Sequence, residues 1–193
     1  WNNRDLAASG YAAVWATANT RESIFDALAR REVYATTGPR IAVRFFGSWD
    51  YDEELLDDPN MIEKAYAQGV PMGGDLTKQI NSPKGPSFIV SAMKDPEGAN
   101  LDRIQIVKGW INKDGSRSEK VFDVAWSDNR TMDDNTGDIP DLSSTVNAAA
   151  ATYTNTVGSI DLSAVWTDPS FDANNPAVYY VRVLEIETPR WTT

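Results

Sequence analysis

The chain has 193 residues, 41% apolar and 24% charged, with 18 Lys and Arg against 28 Asp and Glu and a net charge of −10. Such a length and composition describe one globular domain, or one domain with the tail of another. The acidic balance argues against nucleic acid and anionic membranes as partners, since both select basic faces. The sequence contains no His and no Cys. A Ser-His-Asp relay, a thiolate nucleophile, disulfides and conventional zinc ligation are therefore unavailable to it. Any metal held by this chain alone would need Asp, Glu, Asn and carbonyl oxygens. No apolar run of about 18 residues is present, so no membrane span is expected. The sequence opens on Trp1 with no signal-peptide pattern, which reads as a fragment of a longer protein. The lack of Cys fits a reducing compartment and a bacterial export route equally well.

In chain order, Asn19 with Glu22 three residues later predicts a capped helix start. Ile24, Phe25, Ala27 and Leu28 form its apolar face. Arg30 and Arg31 fall in its last turn, where cations suit the helix dipole, and the helix should end near Glu32. Val33 to Thr36 is β-branched and aromatic, and so a strand. After the break at Thr37-Gly38-Pro39, the residues Ile41, Val43 and Phe45 alternate with Ala42 and Arg44. That is a strand with one buried face, with Arg44 expected at the surface. Residues 47–60 are acidic and turn-like. Met61 to Gln68 predicts a short helix stopped by Gly69, followed by an irregular Val70 to Asp75 and a loop over 81–86.

From Ser87 onward the pattern is β. Phe88, Val90 and Ala92 alternate, and Ile104 and Ile106 mark another strand. Asp114-Gly115 is a hairpin signal between Ile104–Ile111 and Lys120–Ala125. Residues 127–147 form a polar loop. Thr152–Val157, Ser159–Thr167 and Val178–Ile186 read as further strands, the last with Tyr179, Val181, Val183 and Glu185 on one face. Short strands at near-regular spacing predict a mainly β protein. The expected architecture is an antiparallel β-sandwich-like domain with a short N-terminal α/β segment and one or two small helices.

Four groups of residues invite a chemical reading. Thr36, Thr37 and Arg40 surround the Gly38-Pro39 turn and would suit an anionic ester, although a strand terminator needs the same Gly and Pro. Asp133, Asp134 and Asp138, with Asp128 and Asp141, could offer oxygens to calcium. Their spacing does not match an EF-hand, and a solvated acidic loop explains them as well. Asp50, Asp52, Glu53, Glu54, Asp57 and Asp58 are neighbours on a loop, a poor arrangement for a glycosidase carboxylate pair. Trp110, Trp126, Trp166 and Trp191 could form a sugar-stacking platform, but strand tryptophans more often fill a core.

Several stretches carry a family resemblance. They are Asn19 to Glu22, Arg30 to Ile41, Tyr66 to Asp75, Lys94 to Trp110, Tyr153 to Thr156 and Thr188 to Thr193. Together they resemble the C-terminal region of the mostly bacterial family catalogued as domain of unknown function 3604. That family is distantly similar to metal-dependent phosphoesterases of the polymerase and histidinol phosphatase (PHP) type. The resemblance implies that residues 1–40 are the tail of an upstream PHP-like hydrolase domain, and residues 41–193 a C-terminal β-sandwich-like domain. It implies that the His, Asp and Glu metal ligands precede Trp1, so that a divalent metal would belong to the parent protein, with no cofactor in this fragment. The partner would be the upstream catalytic domain of the same chain, acting on an unassigned small-molecule substrate. A bacterial protein, exported or periplasmic, fits this picture. The alternative is a stand-alone binding module, calcium-dependent or carbohydrate-binding.

Overall fold

The computed structural model describes residues 10–77 and 84–189. Strand β1 (Tyr11–Val14), helix α1 (Arg21–Ala29) and β2 (Val33–Thr36) come first, followed by β3 (Ala42–Ser48). A 3-10 turn (Glu53–Asp57), α2 (Met61–Gln68) and the two-residue β4 (Val70–Pro71) follow. The chain then runs through β5 (Ser87–Met93), β6 (Leu101–Ile111), β7 (Arg117–Trp126), β8 (Asp161–Thr167) and β9 (Ala177–Glu185). The strands form a two-stranded sheet β1-β2, a four-stranded sheet β4-β3-β5-β8 and a three-stranded sheet β7-β6-β9. Every pairing is antiparallel. The architecture is the mainly antiparallel, sandwich-like β fold that the alternation predicted, with two short helices.

The larger sheets face each other across one core. Ile41 and Val43, Val90 and Ala92 of β5, Leu101 and Ile104 of β6, and Ala125 of β7 form it, with Phe45, Val181 and Val183 packed against it. A second core lies on the other face of the four-stranded sheet, where Phe46 and Ile89 pack with Tyr51, Leu55 and Ala65. So β3 has no solvent face. Ile41, Val43 and Phe45 point to the first core as expected, and Phe46 fills the second.

Three expectations need correction. The α1 cap is Thr20, not Asn19: its hydroxyl accepts the Ser23 N–H at 3.2 Å. Glu22 thereby falls one residue short of the capping-box position. The helix stops at Ala29, because Arg31 takes a left-handed conformation (φ 63°), and of its apolar face only Ala27 is buried. Phe25 is 68% and Leu28 49% exposed. Thr152–Val157 is no strand. Thr152 makes only an isolated bridge to Asn147, and the carbonyls of Asn155 and Val157 accept from the Asn100 side chain instead of a neighbouring strand.

Arg44 is not a plain surface residue. Its guanidinium lies 3.3 Å from the centre of the Trp15 ring, donates to the Tyr66 hydroxyl at 3.2 Å and stands 3.8 Å from the Glu32 carboxylate. Glu32 is 3% exposed and also accepts from Arg30 at 3.3 Å. The Tyr66 hydroxyl also donates to Glu32, so removing Arg44 would take the second cation from a buried carboxylate and leave it with Arg30 and Tyr66. In urea unfolding, Arg44→Ala should lose about 1–3 kcal/mol, the cost of stranding a buried hydrogen-bonded group. Phe46→Ala should lose about 3–5 kcal/mol, as for a buried aromatic. A loss within about 0.5 kcal/mol for Arg44→Ala, as at an ordinary surface position, would show that Arg30 and Tyr66 hold Glu32 without it.

Candidate functional site

A cleft of about 1110 Å³ opens along one side of the sandwich, where the two large sheets and the β1-β2 sheet meet. Its floor is the β3 face bearing Ile41, Val43 and Phe45, extended by Phe88 of β5. Phe45 and Phe88 stack at 5.4 Å between ring centroids, and Phe88 meets Tyr179 at 4.5 Å. Trp49 and Phe171 meet edge-on at 5.4 Å and are also part of the lining. Arg31 pairs with Asp75 at 3.2 Å along the wall. Gly73 is required there: its φ of 79° favours glycine, and a Cβ would stand 2.2 Å from the Arg31 carbonyl oxygen.

Behind Tyr179 lies a buried charge cluster. Lys108 and Asp168, 4% and 3% exposed, pair at 2.6 Å. Lys108 Nζ also donates to the Ser170 carbonyl at 2.8 Å, and the Tyr179 hydroxyl donates to Asp168 at 2.7 Å. Burial pushes the Asp168 carboxyl up, but donors from Lys108, Tyr179 and the Ser170 N–H outweigh it and hold the group below the usual range. Burial, reinforced by the Asp168 charge, pushes the Tyr179 phenol up. The cluster ties the 168–176 loop, and so one wall of the cleft, to β6. Sequence reasoning missed it, yet a signal existed: Lys108 sits at an inward position of β6 between Ile106 and Trp110.

The structure divides the turn residues singled out in the sequence. Thr36 and Thr37 line the cleft, and the Thr36 hydroxyl oxygen is buried without a partner. Arg40 does not line it. Its backbone N–H and guanidinium donate to Asp95 at 2.7 and 3.4 Å, and it reaches Glu97 at 3.8 Å. The Arg40 and Glu97 N–H donors hold the Asp95 carboxyl low. Glu185 stands close enough to feel that charge: burial, then repulsion from Asp95, pushes its carboxyl up. Its Oε1 is buried without a partner. Gly38 has φ 147°, outside ordinary side-chain territory, with open space where a Cβ would be.

The acidic loop closes on itself. Asp133 accepts the Asn135 and Thr136 N–H groups at 2.8 and 3.2 Å, while Asp134 and Asp138 are exposed. Two arginines pin the loop. Arg103 donates to the Ile139 carbonyl at 2.8 Å and to Asp141 at 2.9 Å; Arg130 donates to the Pro140 carbonyl at 2.9 Å. Among the described residues no group of three or more Asp and Glu is arranged to hold a metal ion. In the other acidic stretch, Asp52 caps the 3-10 turn and Asp58 pairs with Lys64. Of the tryptophans singled out in the sequence, the described ones form no shared platform. Trp166 packs against Phe88 and Phe122, Trp110 donates to Asn112, Trp126 donates to the Arg130 carbonyl, and Trp191 lies outside the described residues.

Fold and site together define an antiparallel β-sandwich with an aromatic-lined side cleft and an arginine-pinned acidic loop. The chain belongs to the family described as "Protein of unknown function (DUF3604)", whose model matches residues 1–193. No curated protein and no solved structure matches it significantly.

The Glu185 environment has a measurable consequence. A folded-state pKa above the unfolded one means that the ionised group costs stability, a cost absent below the unfolded value near 4.3 and growing as pH rises through the folded value. Glu185→Gln should therefore raise the thermal midpoint at pH 7, with the gain vanishing near pH 4. A lower midpoint at pH 7 would show that the charge is compensated.

Proposed function

We propose that this chain is a non-catalytic β module that supports an active site carried elsewhere in its polypeptide, in a hydrolase domain of the metal-dependent phosphoesterase type. In this reading residues 1–40 are the end of that upstream domain and residues 41–193 the C-terminal sandwich. The carrying observation is chemical: a chain matched by its family over residues 1–193 has no imidazole and no thiol with which to hold a catalytic zinc or run a nucleophilic relay. The resemblance to phosphoesterase-linked proteins supplies the class of reaction. Two features suit a supporting role. Thr36 and Thr37 end β2 at the cleft, where hydroxyls can face an anionic group. The Phe25 and Leu28 side of α1 is an apolar surface of the kind that domain contacts cover.

The purified chain should hydrolyse neither phosphate nor sulfate esters, with or without added magnesium, manganese or zinc. Joined to the residues that precede it in its polypeptide, the same chain should accompany metal-dependent turnover. Metal-dependent hydrolysis by the isolated chain, abolished by Asp95→Ala or Asp133→Ala, would overturn the reading.

A further inference from the structure

The cleft has the form of a missing strand. A strand that presents its face to a cavity contributes every second residue, whereas one that presents its edge contributes consecutive residues. The floor contributes Ile41 and, from β3, Val43, Phe45 and Gly47, which is a face. Strand β2 contributes all of Val33–Thr36, and β9 contributes every residue from Ala177 to Leu184, which are edges. The sheet orders agree, for β2 is paired only with β1 and β9 only with β6. Among the described residues no hydrogen bond engages the backbone of β2 on the side away from β1, or of β9 on the side away from β6.

The edge of β3 beside them is treated differently. Its Ile41, Val43 and Phe45 carbonyls accept from the Tyr34 hydroxyl at 3.1 Å, Trp15 Nε1 at 2.8 Å and the Met72 N–H at 2.8 Å. The fold satisfies one edge with dedicated donors and leaves the two that flank the cleft open.

We propose that the cleft is a β-augmentation site for an extended peptide segment of a partner protein, which enters between β2 and β9 and hydrogen-bonds to one or both edges. The inserted strand turns apolar, uncharged side chains toward Ile41, Val43, Phe45 and Phe88 at alternate positions and polar ones outward. Main-chain hydrogen bonds supply affinity, and the aromatic floor supplies selection for alternating sequences. Strand β9 presents eight consecutive residues to the cleft, Ala177 to Leu184, a length of about 26 Å at about 3.3 Å per residue, which an extended peptide of that size matches. This role goes beyond the supporting function; it shares the cleft with Thr36 and Thr37 but is tested apart from it, because ester hydrolysis or its absence does not bear on strand capture.

The test uses the 193-residue chain and an eight-residue peptide of alternating valine and threonine with blocked ends. A second peptide of the same sequence carries N-methyl groups at alternate amides. Binding is followed by calorimetry, amide exchange by NMR and mass by light scattering. The expected result is one-to-one binding of the first peptide, with exchange slowed at least tenfold for amides of Val33–Thr36, Ala177–Glu185 or both. Exchange at the outer edge of β7 should be unchanged. The N-methylated peptide should bind at least tenfold more weakly. Four results would overturn the proposal. Protection of both edges in the free monomer means that the chain fills the gap itself. A concentration-dependent dimer protected at β9 means that a second copy is the occupant. Equal binding of the N-methylated peptide means a merely apolar pocket. No binding of either peptide means that the cleft does not accept a strand.

Discussion

Strand β3 buries both of its faces, and the other layers are arranged around that condition. Its odd-numbered side chains Ile41, Val43 and Phe45 serve the inter-sheet core, while Phe46 serves the core beneath α2 and the 3-10 turn. Each large apolar side chain taken fully from water contributes about 1.5–3 kcal/mol, so one short strand draws on both sides of the molecule at once. Its partner β5 does the same with Val90 on one face and Ile89 on the other. A strand so enclosed cannot leave its unpaired carbonyls to water. Trp15 and Tyr34 are drawn onto it by hydrogen bonds to Val43 and Ile41, which is how the N-terminal β1-β2 sheet is attached to the sandwich.

Arg44, Arg103, Arg130 and Lys108, four cations of this acidic chain, lie in buried or half-buried positions. Each reaches carboxylates or carbonyls of other elements. Such pairs are not a strong source of net stability, because desolvating the charges costs much of what their attraction returns. Their effect is positional. Arg103 and Arg130 fix the long 127–147 loop against β6, and Lys108 fixes the 168–176 loop that walls the cleft. Asp123 and Asp141 are thereby engaged by Arg103. Acidic residues crowded in sequence thus do different structural jobs in space.

Period-two alternation made β3, β5, β6 and β9 legible in the sequence, because burial of at least one face writes that pattern directly. The Asp114-Gly115 hairpin was legible because its turn chemistry is local. Phe46 and Arg44 were not, since their surroundings come from α2, Trp15 and Glu32, each distant in sequence. The 152–157 segment has strand-like composition, but Asn100 engages the carbonyls a ladder would have used. At the candidate site, Thr36 and Thr37 line the cleft, while Arg40 is turned to Asp95, supplied from 55 residues away, a contact no local pattern encodes. The cleft itself had no sequence signature. An unpaired edge is defined by a neighbour that is not there, which no local pattern encodes.

The edges of the three-stranded sheet show how the molecule handles the hazard of open pairing. The outer edge of β7 carries Arg117, Glu119 and Lys120 in exposed positions, the kind of charged border that discourages another strand from docking. On β9, Ala177 to Val181 is apolar or tyrosine, and Arg182 is the next charged side chain. Its protection has to come from shape, because the edge borders a cleft instead of standing at the rim. An incoming strand must therefore match the floor as well as the backbone. That requirement rejects most sequences on steric and desolvation grounds while leaving the hydrogen-bonding groups available, so the same recess can guard the edge and select what pairs with it.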